Sequence, residues 1–324
     1  MKFAAGLPGN NHYPPSNFLP GQDHWEMHLT SADIQRIARA TEDFGYDSIT
    51  SSEHIVLPPD LAASMGAYYC DALTVMSFVA GGTQRLRVNS GVIVLPYHEP
   101  IAYAKAIATL DVLSSGRVTL TFGVGMARAE FAALGVPFER RGKVTDEYIA
   151  VLKELWTSDT PEFHGEFVDF ADVVFEPKPV QRPHPPIWLG GSSMAALRRA
   201  ARVGDGWSPA GSQGGKGPWM NSLADLPVFL AEARRVPGFE EREADFDISM
   251  AVLTSRIGPD HETLPPLEST PRTAQELIDR IAAMEQAGVT WTSIPRIDRP
   301  EAASLEDHLE FLEWGSKEVI SAFR

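Results

Sequence analysis

Two apolar periods alternate along this chain. Short runs such as Lys2–Leu7, Asp47–Ser51, Val118–Phe122 and Ile187–Leu189 have the length of buried strands, and the stretches between them repeat at helical spacing. Ser31 is placed to cap a helix carrying Ile34, Ile37, Ala38, Thr41 and Phe44, which Gly45 stops. A helix over Asp71–Ala80, a long buried strand over Leu86–Leu95, and helices over Pro100–Leu113 and Val144–Trp156 continue the alternation. The fifth strand leads into a helix over Met194–Val203, then a sixth strand over Gly206–Ser208 and a helix over Leu226–Arg235. Phe246–Thr254 reads as the seventh strand. Thr273 and Glu276 form a capping box for a helix ending at Gly288, Val289–Pro295 is the eighth strand, and Ser304–Ile320 closes the chain as helix.

Eight strands, each followed by a helix, predict a (β/α)8 barrel, with residues 1–324 as a single domain. A doubly wound sheet with an appended domain is the runner-up. Three stretches follow neither period: Pro8–Thr30, Pro161–Pro186 and Ala210–Leu223. Unstructured segments of that length are usually functional loops, and the first and third are expected to flank the mouth of a site.

Composition narrows the partners. The chain has 324 residues, 44% of them hydrophobic, and a formal net charge of -15, which argues against nucleic acid or an anionic membrane surface as partner. The single cysteine, Cys70, excludes an internal disulfide framework and a multi-cysteine metal site, and it fits a cytoplasmic location. No apolar run has the length of a membrane span, and the apolar core of MKFAAGLPGNNHYPP is too short for a signal peptide.

In a barrel the chemistry sits where strands end and loops begin. There the sequence places Ser51-Ser52-Glu53-His54, Asn89-Ser90-Gly91, Gly123–Glu130 and Gly190-Gly191-Ser192-Ser193. The last of these breaks a strand into two glycines and two hydroxyls just as a helix opens. It reads either as a tight turn with a serine cap or as an anion seat built on unpaired amides and the helix dipole. Arg198 and Arg199, further along that helix, need not reach such an anion. Glu53-His54 joins a carboxylate to the side chain that titrates nearest neutral pH, although the same pair also suits an ordinary loop. His12 is a further loop histidine. His24, His28 and His98 lack partners at ligand spacing and no HExxH occurs, so no metal site is expected. Gly123-Val-Gly125 lacks the third glycine of a dinucleotide fingerprint, Gly211–Pro218 with Lys216 lacks phosphate-loop spacing, and no Gly-x-Ser-x-Gly elbow is present.

Taken together, three stretches resemble the bacterial luciferase-like monooxygenase family of flavin- and deazaflavin-dependent oxidoreductases. They are "EDFGYDSITSSEHI", "RLRVNSGVIVLPYHEPIAYAKAIATLDVLSSGRVTLTFGVGMARAEFAALGVPFERRGKVTDEYIAVLKELW" and "FEPKPVQRPHPPIWLGGSSMAALRRAARVGDGW". The resemblance runs from Met1 to about Pro209. "GVPFERRGKVTDEYI" and the proline-rich approach to Ile187 look most like the branch that uses coenzyme F420, a deazaflavin.

The resemblance implies a non-prolyl cis peptide joining Ser90 to Gly91, as a bulge behind the central ring of the cofactor. It places Glu53 near the hydroxylated tail, His54 over the ring as a proton-transfer group, and Met126 and Ala129 against the cofactor. Gly190, Gly191, Ser192 and Ser193 become the phosphate seat. Hydride transfer between F420 and a small organic substrate, by a homodimer, is the activity implied. A monooxygenase using reduced FMN and oxygen is the alternative, and a non-catalytic flavin- or deazaflavin-binding protein the third reading. Leu57-Pro58 stands where a sugar-phosphate dehydrogenase of this family carries a tryptophan, and Met126 where it carries a catalytic glutamate. Both departures argue against that substrate and leave His54 as the matched acid/base group.

Overall fold

The computed structural model describes residues 1–9, 24–209, 219–220, 222–252, 256–257, 263–264, 271–297 and 302–324. Its centre is a parallel ladder of eight strands: β1 (Lys2–Gly6), β2 (Ser48–Ser51), β3 (Arg87–Ser90), β4 (Val118–Gly123), β5 (Ile187–Gly190), β6 (Gly206–Ser208), β7 (Asp247–Ile248) and β8 (Trp291–Ser293). Their order around the ring is β7-β6-β5-β4-β3-β2-β1-β8. The ring closes just beyond β7, where Ser249 bridges Trp291 and the Met250 amide donates to the Trp291 carbonyl at 3.0 Å. Eight helices cover the outside: α1 (Ser31–Asp43), α2 (Ala72–Gly82), α3 (Pro100–Leu113), α4 (Arg141–Thr157), α5 (Met194–Val203), α6 (Leu226–Ala233), α7 (Ala274–Gln286) and α8 (Leu305–Trp314). The chain is therefore a (β/α)8 barrel.

Alternation along each strand divides the residues between two environments. Val88, Val118, Leu120, Phe122, Ile187 and Leu189 are buried in the main hydrophobic cluster. Among the alternate positions, Asn89 and Thr121 are joined by a hydrogen bond of 3.1 Å, and β4 and β5 end in Gly123 and Gly190. At the N-terminal end of the ring, Trp188 and Trp291 pack edge to face, and a cavity of about 560 Å³ opens beneath them. The Arg87 guanidinium in that cavity is committed to Thr119, Gln181 and the carbonyls of Gly116 and Val118. Its donors hold strand starts together.

Several boundaries differ from the sequence reading, each for a local reason. Thr30, not Ser31, caps α1: its hydroxyl accepts from the Asp33 amide, and the Asp33 carboxylate accepts from the Thr30 amide. Glu276 reaches the amide of Arg272 instead of Thr273, so Thr273 caps α7 without the reciprocal bond. The closing helix is not uniform. Tyr46 donates from its hydroxyl to the Leu312 carbonyl and occupies the space beside Gly315, where α8 gives way to a π-helical turn over Gly315–Val319.

Pro161–Pro186 carries a small hairpin, Phe163–His164 against Asp169–Phe170, and is tied down by two carboxylates. Glu147 accepts from the amides of Glu166, Phe167 and Val168, and buried Asp111 accepts from those of Val180 and Gln181. The seventh strand is shorter than expected: Asp247 and Ile248 pair with β6, after which Ser249 already bridges Trp291. Much of the other two aperiodic stretches, including His12 and Gly211–Pro218, lies outside the described residues, as does Thr254 at the end of the expected seventh strand.

The largest correction concerns the stretch Leu86–Leu95. It is not one strand. β3 stops at Ser90, and pairing with β4 resumes at Ile93–Val94. The cis peptide lies between Gly91 and Val92, one residue beyond the expected Ser90–Gly91 bond. Ser90 is still in the ladder: its hydroxyl donates to the Thr121 carbonyl and accepts from the Thr121 amide, while the Gly91 amide donates to Ser51 at 2.7 Å. The chain is therefore free to turn after Gly91 and not before it. Val92 then packs between the ends of β4 and β5, since a Cβ at Gly123 or Gly190 would come within 2.8 or 2.7 Å of its methyl groups.

Candidate active site

The loops after β2, β3, β4 and β5 meet at the C-terminal end of the ring. Ser52 donates to the Gly91 carbonyl at 3.0 Å, which ties the β2 loop to the bulge after β3. From that loop Glu53 and His54 diverge. The Glu53 side chain has no exposed surface, accepts from the Val94 amide at 2.9 Å, and lies 2.9 Å from His98 Nε2. His98 in turn stacks on Tyr103, with ring centroids 3.9 Å apart.

His54 goes the other way. Its Nδ1 is 3.1 Å from Glu130 Oε2, and its ring meets the edge of Tyr69. Glu130 stands on a one-turn helix after β4, Arg128–Ala133, and also accepts from the amides of Ile55 and Val56 and from the Tyr97 hydroxyl. Burial works to raise the Glu130 pKa, but the bonds from His54, the Ile55 amide and Tyr97 outweigh it and hold the carboxyl below the usual range. Burial and the neighbouring Glu130 charge push the Tyr97 phenol upward, so it stays a donor.

The sequence reading placed Glu53 and His54 side by side; the structure joins them to different partners and seals Glu53 beneath the loop. Ser90 is fully buried in strand pairing, whereas Gly91, Met126, Gly190 and Gly191 are partly exposed and Ala129 is exposed. Glu130, Tyr97 and His98 were not named as candidates from the sequence, yet Glu130 bonds His54, Tyr97 bonds Glu130 and His98 bonds Glu53. Their signal lay in polar residues just beyond β3 and β4, which nothing local joined to the β2 loop.

The β5 turn combines both of its sequence readings. Ser193 caps α5 by accepting from the Ala196 amide, and Gly191 sits at φ +114°, bending the chain into the helix. The Gly191 amide is committed to the Ser208 carbonyl and the Gly191 carbonyl to Trp207 Nε1. What remains for an anion is the first turn of α5, whose amides at Met194 and Ala195 have no partner within the helix. Beside them Ser192 Oγ is buried with no hydrogen-bond partner among the described residues. A buried, unspent hydroxyl at a helix start fits a phosphate.

Arg198 and Arg199 are taken by Glu232 and Asp146, as their distance along the helix suggested. Arg141, at the start of α4, contacts the carbonyls of Gly125 and Phe138 and lies over the Phe138 ring, with no carboxylate bonded to it among the described residues. Among the described residues no group of three His, Cys, Asp or Glu could hold a metal ion, and no helix is long and apolar enough to cross a membrane.

These strand-end loops define a class. The chain matches the luciferase-like monooxygenase family over residues 16–256 and belongs to that family. It is 36% identical to an uncharacterized protein of Mycobacterium tuberculosis over 88% of this chain and 93% of that one. It is 38% identical to an FMNH(2)-dependent dimethylsulfone monooxygenase of Pseudomonas putida, a match covering 42% of this chain and 38% of that one. Among solved structures, an F420-dependent secondary alcohol dehydrogenase bound to an F420–acetone adduct superposes with a TM-score of 0.71. That likeness covers 100% of this chain and 99% of the other at 18% identity, and it carries the fold alone. The family is one of oxidoreductases and monooxygenases acting on small molecules.

Proposed function

We propose that this protein is a deazaflavin-dependent oxidoreductase that moves hydride between coenzyme F420 and a small alcohol or carbonyl compound. The observation that carries the reading is the His54–Glu130 pair at the barrel mouth, beside the bulge after β3. Removing hydride from a carbinol carbon requires that the hydroxyl proton leave as well, and a histidine backed by a buried carboxylate is suited to take it. The deazaflavin supplies the hydride acceptor or donor when bound. The first turn of α5, with Ser192, would hold its phosphate, Gly91 and Gly190 would let backbone approach the ring, and Met126 and Ala129 would border it. Arg141 is available to the longer anionic tail that distinguishes a deazaflavin from FMN.

A monooxygenase using FMNH2 and oxygen is the second reading, favoured by the partial match to the dimethylsulfone enzyme. The proposal extends to a cytoplasmic homodimer. Leu113 and Val174 are 74% and 87% exposed on α3 and the segment after the hairpin, apolar surface that a second copy would cover.

Titration of the purified protein with F420 and, separately, with reduced FMN, followed by fluorescence, tests the assignment. The proposal expects F420 to bind at least about tenfold more tightly. Tighter binding of FMN would transfer the assignment to the monooxygenase reading, and binding of neither would remove the enzyme.

A further inference from the structure

The turn after β5 is held by its carbonyls as well as by its serine cap. The Gly191 carbonyl accepts from Trp207 Nε1 at 2.8 Å, and the Ser192 carbonyl accepts from the Met220 amide at 2.8 Å. Trp207 stands on β6 with no exposed surface and belongs to the hydrophobic cluster between strands and helices. Its indole stacks on Phe229 of α6, with ring centroids 5.4 Å apart. The Gly191 carbonyl therefore points into that layer. A trans peptide is planar, so its N–H points opposite to its C=O. The donor on Gly191 thus turns the Ser192 N–H away from the helix layer, and the donor on Ser192 fixes the direction of the Ser193 N–H in the same way. Among the described residues neither of these two amides has a hydrogen-bond partner, whereas the Gly191 amide is spent on Ser208. The Ser192 hydroxyl is buried and has no partner among the described residues either.

We infer that Trp207 is a positioning residue for the cofactor's phosphate: by holding the Gly191 carbonyl, its indole N–H presents the Ser192 N–H to the anion. This rests on the proposal that the β5 turn seats a cofactor phosphate, whichever cofactor carries it. Gly191, at φ +114°, makes a holder necessary, because a residue without Cβ lets the peptide that follows it turn over at little cost. Turned over, that peptide would aim a carbonyl oxygen at the phosphate oxygens, and attraction would become repulsion. An indole suits the task. Its nitrogen is a donor only, so it binds a carbonyl and has nothing to offer the N–H of a flipped peptide. Burial and the stack on Phe229 keep the ring in place.

Trp207→Phe retains an aromatic ring beside Phe229 and deletes the donor. Binding is followed by fluorescence with two ligands: F420, and the same deazaflavin truncated before its phosphate. The variant should bind F420 about tenfold less tightly, the worth of a hydrogen bond to a charged group, and the truncated ligand within about twofold of the parent. A residue that only supported the fold would weaken both alike. Equal losses for the two ligands, or no loss for F420, overturn the inference. Reduced FMN and reduced riboflavin form a second such pair. A loss confined to FMN, in a protein that does not bind F420, would move the proposed function to the monooxygenase reading and leave Trp207 its role.

Nitrogen-15 NMR of the unaltered protein, titrated with inorganic phosphate, decides the matter should Trp207→Phe fail to fold or neither cofactor bind. The protein is labelled in serine, and Ser192 is assigned by its loss in Ser192→Ala. The Ser192 amide resonance should move with added phosphate and reach a plateau, because the inference requires that N–H to face the anion. A Ser192 amide that does not respond overturns it.

Discussion

Two carboxylate–histidine pairs stand at the same end of the barrel, and their members are crossed. Glu53 and His54 are neighbours in the chain, yet Glu53 bonds His98, 45 residues on, and His54 bonds Glu130, 76 residues on. In the first pair the carboxylate is sealed, accepts a strand amide, and holds a histidine that is itself stacked flat on Tyr103. Its bonding capacity goes into joining the β2 loop to the segment after β3. In the second pair the carboxylate is equally buried but holds its histidine by one nitrogen at the mouth of the barrel. Under the proposed function the same chemical groups serve as a fastener in one place and as a proton relay in the other.

Glu53→Ala is the severest way to test the fastener. It strands the Val94 amide and His98 beneath the loop and should cost ~3 kcal/mol of stability, as removal of one member of a buried pair does. Chemical denaturation measures that loss, and turnover per folded molecule should stay within about threefold. Loss of activity with stability intact would make the two pairs equivalent. His54→Ala should behave oppositely, with an unfolding midpoint close to the parent and turnover reduced ~10²-fold or more.

Smaller effects sharpen the contrast between groups spent on the fold and groups held for a ligand. Ser192→Ala removes a buried hydroxyl that has no hydrogen-bond partner among the described residues. Stability without cofactor should be unchanged or slightly higher, whereas cofactor affinity should fall about fivefold, the worth of one hydrogen bond. Isothermal titration checks it, and equal affinity would take Ser192 out of the phosphate seat.

His308 on α8 offers a weaker, pH-dependent check. Burial, with Arg296 nearby, lowers its pKa to about 4 from the ordinary 6.5. The unfolded chain therefore takes up a proton first as pH falls, so the stability His308 contributes is complete above 6.5 and is lost progressively toward pH 4. His308→Phe should flatten that part of the stability curve, and an unchanged slope would show that His308 carries no such proton linkage.

The fold was legible because its signals are local. α3, α5 and β6 occupy the stretches their apolar periods outline, and the turn at Gly190–Ser193 declared itself by composition. The break after Gly91 was not legible. An unbroken apolar run from Leu86 to Leu95 conceals that Val92 must fold back between Gly123 and Gly190, residues brought to it by two other strands. Nor were the partners of Glu53 and His54 legible, since adjacency in the chain suggested one pair where tertiary structure makes two. Glu130 was visible as an acidic residue after the fourth strand. Its donors come from the β2 loop and from Tyr97, and no spacing rule within one segment joins them.

The central claim, that His54 moves a proton while the Glu53–His98 pair holds the loop, is tested most directly by chemical rescue. The hydride-transfer rate of His54→Ala is measured in a single turnover with F420 saturating and with an alcohol that the parent oxidises, with and without added imidazole. The account predicts that imidazole, filling the space left by the side chain, restores the rate by ~10-fold or more without changing cofactor affinity, and that it does nothing for Glu53→Ala. A His54→Ala enzyme that transfers hydride at the parent rate, or that binds cofactor normally yet gains nothing from imidazole, would contradict it.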